Sequence, residues 1–379
     1  MTHTSSSSPD VVVAGGGVIG VSVAYHLAEA GLAVTLLEAS RIGGLATSAS
    51  SGGILVSTKT RPSSIEAATR AQRRLAELDR ELHGALEYDP CGCLVIATSE
   101  AELGILQGRV SAHRLLGVAV ALIGQDEVRH GWPIVGPSVV GAAHYPNDGQ
   151  LDAIALVKAL ASRAAAFGAV YHEDSPVIGI NVRKGRIDGV VTLHGTLRTG
   201  VVVDAAGIAA ADVARMVGVS LDVRAQRGQV LALRSPKALS PGRITEIRSI
   251  IGKDSGETID RQVSYAYRPA RAEVWLGGAN EIAEIADSTT DGISAIRSRA
   301  AEVLPGLAHL EQARAWAGLR PFSPGGPIVG WVGGPTGFLV ATAHGGDGIA
   351  LALDTGEQIT RLIHADRPRA QWGLGGQNA

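Results

Sequence analysis

The stretch Asp10-Val-Val-Val-Ala-Gly-Gly-Gly-Val-Ile-Gly20 decides how the rest of the chain is read. Val11 to Ala14 form a short apolar run of the kind that makes a strand buried on both faces. Gly15-x-Gly17-x-x-Gly20 follows, and Val18, Val21, Ala24, Tyr25 and Ala28 then recur at helical spacing as far as Ala30. Gly31 stops that helix, and Ala33-Val-Thr-Leu-Leu-Glu38 reads as a second parallel strand, closed by a carboxylate 23 residues after Gly15. The three glycines differ in what they permit. Gly15 makes the tight turn, Gly17 lets backbone approach a pyrophosphate, and Gly20 brings helix and strand together. The helix N-terminus, led by Val18 and Ile19, offers N–H groups and a partial positive charge to phosphates. Glu38, followed by Ala39, is placed to accept hydrogen bonds from ribose hydroxyls. Strand, glycine turn, helix and acid in this order make a dinucleotide site, and the motif does not separate FAD from NAD.

At 379 residues the chain exceeds what one hydrophobic core usually holds, so two domains are expected. Its 45% hydrophobic and 18% charged residues are ordinary for a globular enzyme. With 34 basic against 36 acidic residues, the net charge of −2 points away from nucleic acid and anionic lipid as partners. No apolar run reaches the roughly 18–20 residues of a membrane span. Residues 1–9 lack the basic start and apolar stretch of a signal peptide. The expected location is therefore cytoplasmic, with 1–9 and 366–379 as flexible tails. Cys91 and Cys93, the two cysteines, are spaced Cys-Gly-Cys, which suits neither a metal knuckle nor a thioredoxin-like pair. They are expected to be buried or loop thiols, with no metal bound.

After Glu38 comes a loop rich in hydroxyls and glycine, in which Thr47, Ser48, Ser51, Gly52 and Gly53 can turn side-chain oxygens and backbone N–H groups to phosphate or flavin. Ser63 or Ser64 is expected to cap a helix over 65–86, followed by a strand at 93–98, helices over 100–116 and 152–167, and a short strand at 142–145. Strands at 177–182, 187–193 and 197–203 predict a β-meander. It leads into Val201-Val-Val-Asp204-Ala-Ala-Gly207, a second buried strand that ends at a glycine, so Ala206 and Gly207 mark the chain's return to the cofactor domain. Strand-like pieces at 229–233, 263–267 and 273–276 dominate the next hundred residues, with a helix over 293–303. The fold class read from this order is α/β: a Rossmann-like domain with a β-meander, assembled from 10–60, 147–220 and 315–365. A sheet-based α+β substrate domain takes 61–146 and 221–314.

Four pieces together resemble the D-amino-acid oxidase family of FAD enzymes: the opening glycine motif with Glu38, the loop from Thr47 to Gly53, the strand Val201 to Gly207, and Trp316-Ala-Gly-Leu-Arg-Pro321 with the region to Gly348. The resemblance spans nearly the whole chain. Within the family the chain is most similar to glycine oxidases and to the flavoprotein subunits of proline, opine and cyanide-forming glycine dehydrogenases. It implies that Gly15, Gly17, Gly20 and Glu38 hold ADP, Thr47 and Ser48 the phosphates, and the Val177 backbone the adenine. It further implies that the loop His344-Gly345-Gly346-Asp347-Gly348-Ile349 brings N–H groups to the flavin pyrimidine carbonyl, where negative charge develops on reduction. His344 then has a structural or flavin-adjacent role. Arg320 is implied to bind the substrate carboxylate, for which its planar fork is suited. Tyr265 and Tyr267 lie where related enzymes place an active-site tyrosine, and the residues do not choose between them.

The chain also departs from the family pattern. Gly325 replaces an aspartate, Ala343 a glycine and Leu353 a proline, and Gly346 stands where glycine oxidases carry a second arginine, which leaves room for a larger substrate. No counterpart of a flavin-anchoring cysteine is present, so FAD is expected to be noncovalent. The implied activity is oxidation of the C–N bond of a carboxylate-bearing amino acid or secondary amine, glycine-, sarcosine-, proline- or opine-like, by hydride transfer to flavin N5. Oxygen or a partner redox protein would take the electrons, and a homo- or hetero-oligomer is open. The alternatives are an FAD subunit that passes electrons to partners and an NAD(P)-dependent dehydrogenase on the same opening fold.

Overall fold

The computed structural model describes residues 8–255 and 262–365, so the expected tails fall outside it apart from Ser8 and Pro9. The chain divides into two compact units. The first runs up to Ser48, takes in Ala153–Arg224 and resumes at Arg320; the second comprises Ala49–Asp152 and Ala225–Leu319. Among the described residues no helix is long and apolar enough to cross a membrane.

The first unit is built on a six-stranded sheet, ordered Ile328–Trp331, Phe338–Thr342, Val201–Asp204, Val11–Ala14, Val34–Leu37 and Val170–His172. The pairings inward from Phe338–Thr342 are parallel, and Ile328–Trp331 is antiparallel. The opening strand is buried at all four residues, as an apolar run without alternation requires. One face carries the helices Val18–Glu29, Ala153–Ala166 and Gly348–Ala365. On the other, Ile180, Ile187 and Val190 of a three-stranded meander pack on Val12, Val202 and Val340. The expected strand over 197–203 is two strands, Gly195–Leu197 in the meander and Val201–Asp204 in the main sheet. Thr199 makes the break: its hydroxyl donates to Asp10 O at 3.1 Å, tying the turn to the start of the opening strand.

The second unit centres on an eight-stranded sheet, ordered Gln312–Phe322, Arg224–Arg234, Glu273–Ile282, Ser264–Arg268, Arg243–Glu246, Cys93–Ala97, Gly141–Tyr145 and Ala121–Gly124. The first two strands reach the unit boundaries at Arg320 and Arg224. On one face Leu94, Ile96, Leu231, Ile244, Tyr265 and Leu276 pack against Ile296 and Val303 of the helix Thr290–Val303. The helix expected over 65–86 is Pro62–Glu81, and Ser63 and Ser64 lie inside it. Proline at the first helical position sets the start, because its missing N–H is one the helix would leave unbonded. Arg243–Glu246 and the helix Ile247–Ser255 after it lie outside the expected elements, and that strand pairs in parallel with Cys93–Ala97, some 150 residues earlier.

Candidate functional site

Parallel strands place their following loops along one sheet edge, and the first unit gathers there Gly15, Glu38, Ala206 and Ala343. Gly15 has φ +108°, and a β-carbon on it would lie 2.4 Å from Ala205 O. On Gly20 a β-carbon would fall 1.9 Å from Gly15 O, so turn and helix touch through bare backbone. Gly17 precedes the helix in extended conformation without a side chain to cap it, and Thr47 Oγ1 instead accepts the Val18 N–H at 3.1 Å. No acid stands in the first helical turn, so the positive end of this helix dipole is not neutralised from within. The Glu38 carboxylate accepts the Gly16 N–H through Oε2 and the Ser40 N–H through Oε1, both at 2.7 Å, and each oxygen keeps a lone pair for a hydroxyl. Ala39 beside it is exposed. The Ser175 N–H donates to Glu38 O, which carries the chain past the acid to Val177, half-buried against the meander core. Ser48 turns back on its own loop, donating to Leu45 O at 3.0 Å.

At the other end of the chain, Ala343 takes φ +63°, a left-handed conformation that costs a residue with a β-carbon about 1–2 kcal/mol. A single turn of 3-10 helix, Gly345–Asp347, leads into the helix Gly348–Ala365, whose first turn includes Ile349 and contains no acid. His344 is buried, its Nε2 2.9 Å from Thr355 Oγ1 and its Nδ1 without a protein partner. Burial pushes its pKa down to about 4, so the ring is neutral at neutral pH. Arg320 lies alongside this turn: a β-carbon on Gly346 would be 3.9 Å from Arg320 Cδ and 4.0 Å from Nε. Burial presses its pKa down while the Asp347 carboxylate acts the other way, and a guanidinium stays charged under both.

Not every candidate falls in this unit. Ser51, Gly52 and Gly53 belong to the second, where Gly52 (φ +67°) leaves room for Leu151 O and Gly53 pairs with Gln150. Ser51 receives the guanidinium of Arg243. Tyr265 and Tyr267 also lie there, both against the helix-covered core. Tyr265 is fully buried and its hydroxyl accepts the Leu239 N–H at 3.0 Å, whereas Tyr267 stays partly exposed.

Two residues at the first unit's edge are absent from the sequence candidates. Asp204 ends its strand fully buried; Oδ1 accepts the Ala206 N–H at 3.1 Å, Oδ2 has no protein partner, and burial raises its pKa to about 8. An acid closing a run of buried valines is a readable signal. Gly207 follows at φ +63°, its carbonyl accepting from Thr342 Oγ1. Glu173 accepts the Ile42 N–H at 2.7 Å and pairs with Arg41 at 2.9 Å, which steadies the loop after Glu38. At 131 residues' separation nothing local announces that pairing. Both cysteines are free thiols, Cys93 buried and Cys91 raised to about 11 by burial. Among the described residues no cluster of His, Cys, Asp and Glu is arranged to hold a metal.

Comparison with known proteins gives a family model, DAO, described as FAD dependent oxidoreductase, that matches residues 10–362. The chain is similar to a glycine oxidase of Bacillus licheniformis, 27% identical over 371 residues that cover 96% of this chain and 95% of that protein. It is similar also to the hydrogen cyanide synthase subunit HcnC of Pseudomonas protegens, 27% identical over 403 residues covering 94% and 93%. Among solved structures, glycine oxidase from Bacillus cereus superposes with a TM-score of 0.83 at 28% identity, covering 95% of this chain and 96% of that one. The first unit's edge fits the ADP part of such a cofactor. It offers a helix N-terminus with no acid of its own, glycines whose β-carbons the backbone excludes, and a carboxylate with acceptor capacity to spare.

Proposed function

Because the chain belongs to the DAO family of FAD-dependent oxidoreductases, we propose that it oxidises the C–N bond of an amino acid or secondary amine bearing a carboxylate, and that Arg320 holds that carboxylate. FAD-dependent oxidation of amino acids or amines is the class to which its relatives belong, and FAD takes the place a nicotinamide could have filled. The observation that carries the finer reading is Arg320 lying along the Gly345–Asp347 turn at the head of the helix Gly348–Ala365. A fixed cation beside a helix N-terminus and a row of glycine N–H groups suits a substrate anion next to a cofactor that gains negative charge.

Gly15, Gly17, Val18, Ile19, Gly20 and Glu38 would hold the ADP portion, with Thr47 setting the helix end. Bound FAD supplies the acceptor for the hydride that leaves the carbon next to nitrogen. Arg320 grips the carboxylate in two parallel hydrogen bonds and so fixes the direction of the adjacent C–H bond. A substrate amine bound neutral needs no side-chain base, since its own lone pair completes the imine as hydride departs. His344, neutral and engaged with Thr355, is suited to hold the loop rather than to take a proton. Tyr267 keeps an accessible edge that Tyr265 lacks, and of the two it is the one free to orient a ligand.

The test is Arg320→Leu. The variant should retain its flavin and lose about 10²–10³-fold in kcat/KM, the loss expected when a charge-assisted bidentate contact is removed. Kinetics equal to wild type would defeat the assignment. Similarity to HcnC, itself a subunit, supports a second reading in which electrons pass to a partner rather than to oxygen. Flavin that bleaches anaerobically with an amine yet recolours slowly in air, and quickly with an artificial dye, would select it.

A further inference from the structure

The helix Glu100–Leu115 of the second unit turns an uncharged face to solvent. Its start is fixed by Ser99, whose Oγ accepts the Glu102 N–H at 3.2 Å, and Leu106 and Val110 pack it onto Val95, Ala97, Ala143 and Tyr145. The charges along its length are used within the chain. Glu102 bonds Thr98 and Arg248, Arg109 donates to Ser57 O and Lys59 O, and the His113 ring lies 3.0 Å from Lys59 O. Helical spacing then leaves Ala101, Gly104, Ile105, Gly108, Ala112 and Leu115 on the outer side, all exposed. Ser111, the polar residue among them, bonds back to Gln107 O.

Leu115 keeps 89% of its surface in water and Ile105 47%. Apolar residues scattered singly over a surface need no explanation, whereas a continuous row marks a contact site. Gly104 and Gly108 are poor helix formers, and a β-carbon on either would meet nothing within 4 Å, so no packing inside the chain requires glycine there. Bare backbone at these two points lets a second helix come close.

The charges at the helix ends select that second helix. Glu100 in the first turn and Arg114 in the last are both exposed, and neither has an oppositely charged partner within 4.0 Å among the described residues. A copy of this helix laid antiparallel about a two-fold axis at Gly108 brings Leu115 over Ala101, Ala112 over Gly104, and Arg114 to the same flank as Glu100. Large residues then meet small ones, opposite charges meet at both ends, and the helix dipoles oppose. A parallel copy would set Glu100 on Glu100 and Arg114 on Arg114. We propose that two copies of this chain associate through Glu100–Leu115, antiparallel and crossing at Gly108. Neither flavin nor substrate enters the contact, so it stands apart from the amine-oxidation reading.

Sedimentation velocity of the flavin-loaded protein from about 1 to 100 µM tests the association, since one pair of helices is a small interface that suits a micromolar Kd. Wild type should pass from monomer to dimer over that range. Leu115→Glu and Gly108→Arg, both at exposed positions with room for the new side chain, should keep their flavin and weaken the dimer at least about tenfold. Glu100→Arg and Arg114→Glu should each weaken it about three- to tenfold, and the two combined should restore it, because the exchanged charges again meet their opposites. Oxidation should cross-link Gly108→Cys, which lies on the axis and faces its own copy. It should not cross-link Gly104→Cys, whose two copies would sit about 12 Å apart along the helices. A wild type that stays monomeric at 100 µM overturns the proposal and leaves the face to a different partner. A dimer indifferent to Leu115→Glu and Gly108→Arg overturns it by placing the contact elsewhere. Cross-linking of Gly104→Cys, or a charge exchange no better than either single change, overturns the antiparallel arrangement.

Discussion

Asp204 is the residue whose environment and chemistry are most at odds. It sits fully buried at the end of a central strand, with one oxygen bonded to the Ala206 N–H and the other without a protein partner, and its pKa is raised to about 8. An ordinary aspartate titrates near 3.9. Below about pH 4 the acid is neutral in both folded and unfolded chains. Between about pH 4 and pH 8 the unfolded chain ionises while the folded one keeps its proton, so the stability present at low pH is lost as pH rises. Asp204→Asn stays neutral throughout and keeps an oxygen for the Ala206 N–H. The variant should therefore gain on wild type with rising pH, by on the order of 2 kcal/mol between pH 6.5 and pH 8.5. His344, depressed to about 4 in the fold, is present in both proteins, so its contribution cancels in the comparison. Melting temperatures of the two proteins that run parallel across the window would show that Asp204 ionises normally in the fold.

Among the elements, the opening β-α-β unit is legible because everything that specifies it is local: an apolar run, three glycines and a helical repeat within 29 residues. Arg243–Glu246 is not, since half of it is charged and its partner strand is remote in sequence. The glycine, Glu38 and Thr47 positions are readable from spacing. That Ser51 to Gly53 belong to the second unit, and that both tyrosines face the helix Thr290–Val303, follows only from packing set elsewhere in the chain. Gly356 makes the same point within one helix. From sequence it is a weak helical position in Gly348–Ala365, about 1 kcal/mol worse than alanine. In the fold a β-carbon there would lie 2.4 Å from His26 Nδ1, 2.7 Å from Ser22 O and 2.8 Å from Ser22 Oγ, where the last helix crosses Val18–Glu29. Ser22 Oγ also donates to Ala352 O at 2.8 Å, so the two backbones are held at glycine distance. Gly356→Ala should thus destabilise the protein by about 1–3 kcal/mol despite its better propensity. A rise in thermal stability instead would mean that the helices can part at no cost.

The molecule as a whole divides its polar burial unevenly. The first unit hides few charges and relies on apolar layers, whereas the second runs an ion network through the middle of its sheet. Glu246, 1% exposed, accepts the Val263 N–H through Oε2 at 2.7 Å and the Arg299 Nε–H through Oε1 at 2.9 Å. Arg299 goes on to Glu302 and Thr98, and Arg248 bonds Glu102. Composition could not disclose this, because Glu246 and Arg299 are 53 residues apart and each resembles a solvated charge. Such a pair owes little net stability to its existence, since both ions were stripped of water to form it, but removing one partner strands the other. Arg299→Met should therefore cost about 3–5 kcal/mol, and adding Glu246→Gln should return most of it by taking away the stranded charge. A chain of two units need not unfold in one step. The loss should accordingly be followed by the emission of Trp132, Trp275 and Trp316, which lie in the second unit, together with the release of flavin. Equal losses in the single and double variants would mean that Arg299 acts through its packing and its bonds to Glu302 and Thr98, and that Glu246 tolerates burial alone.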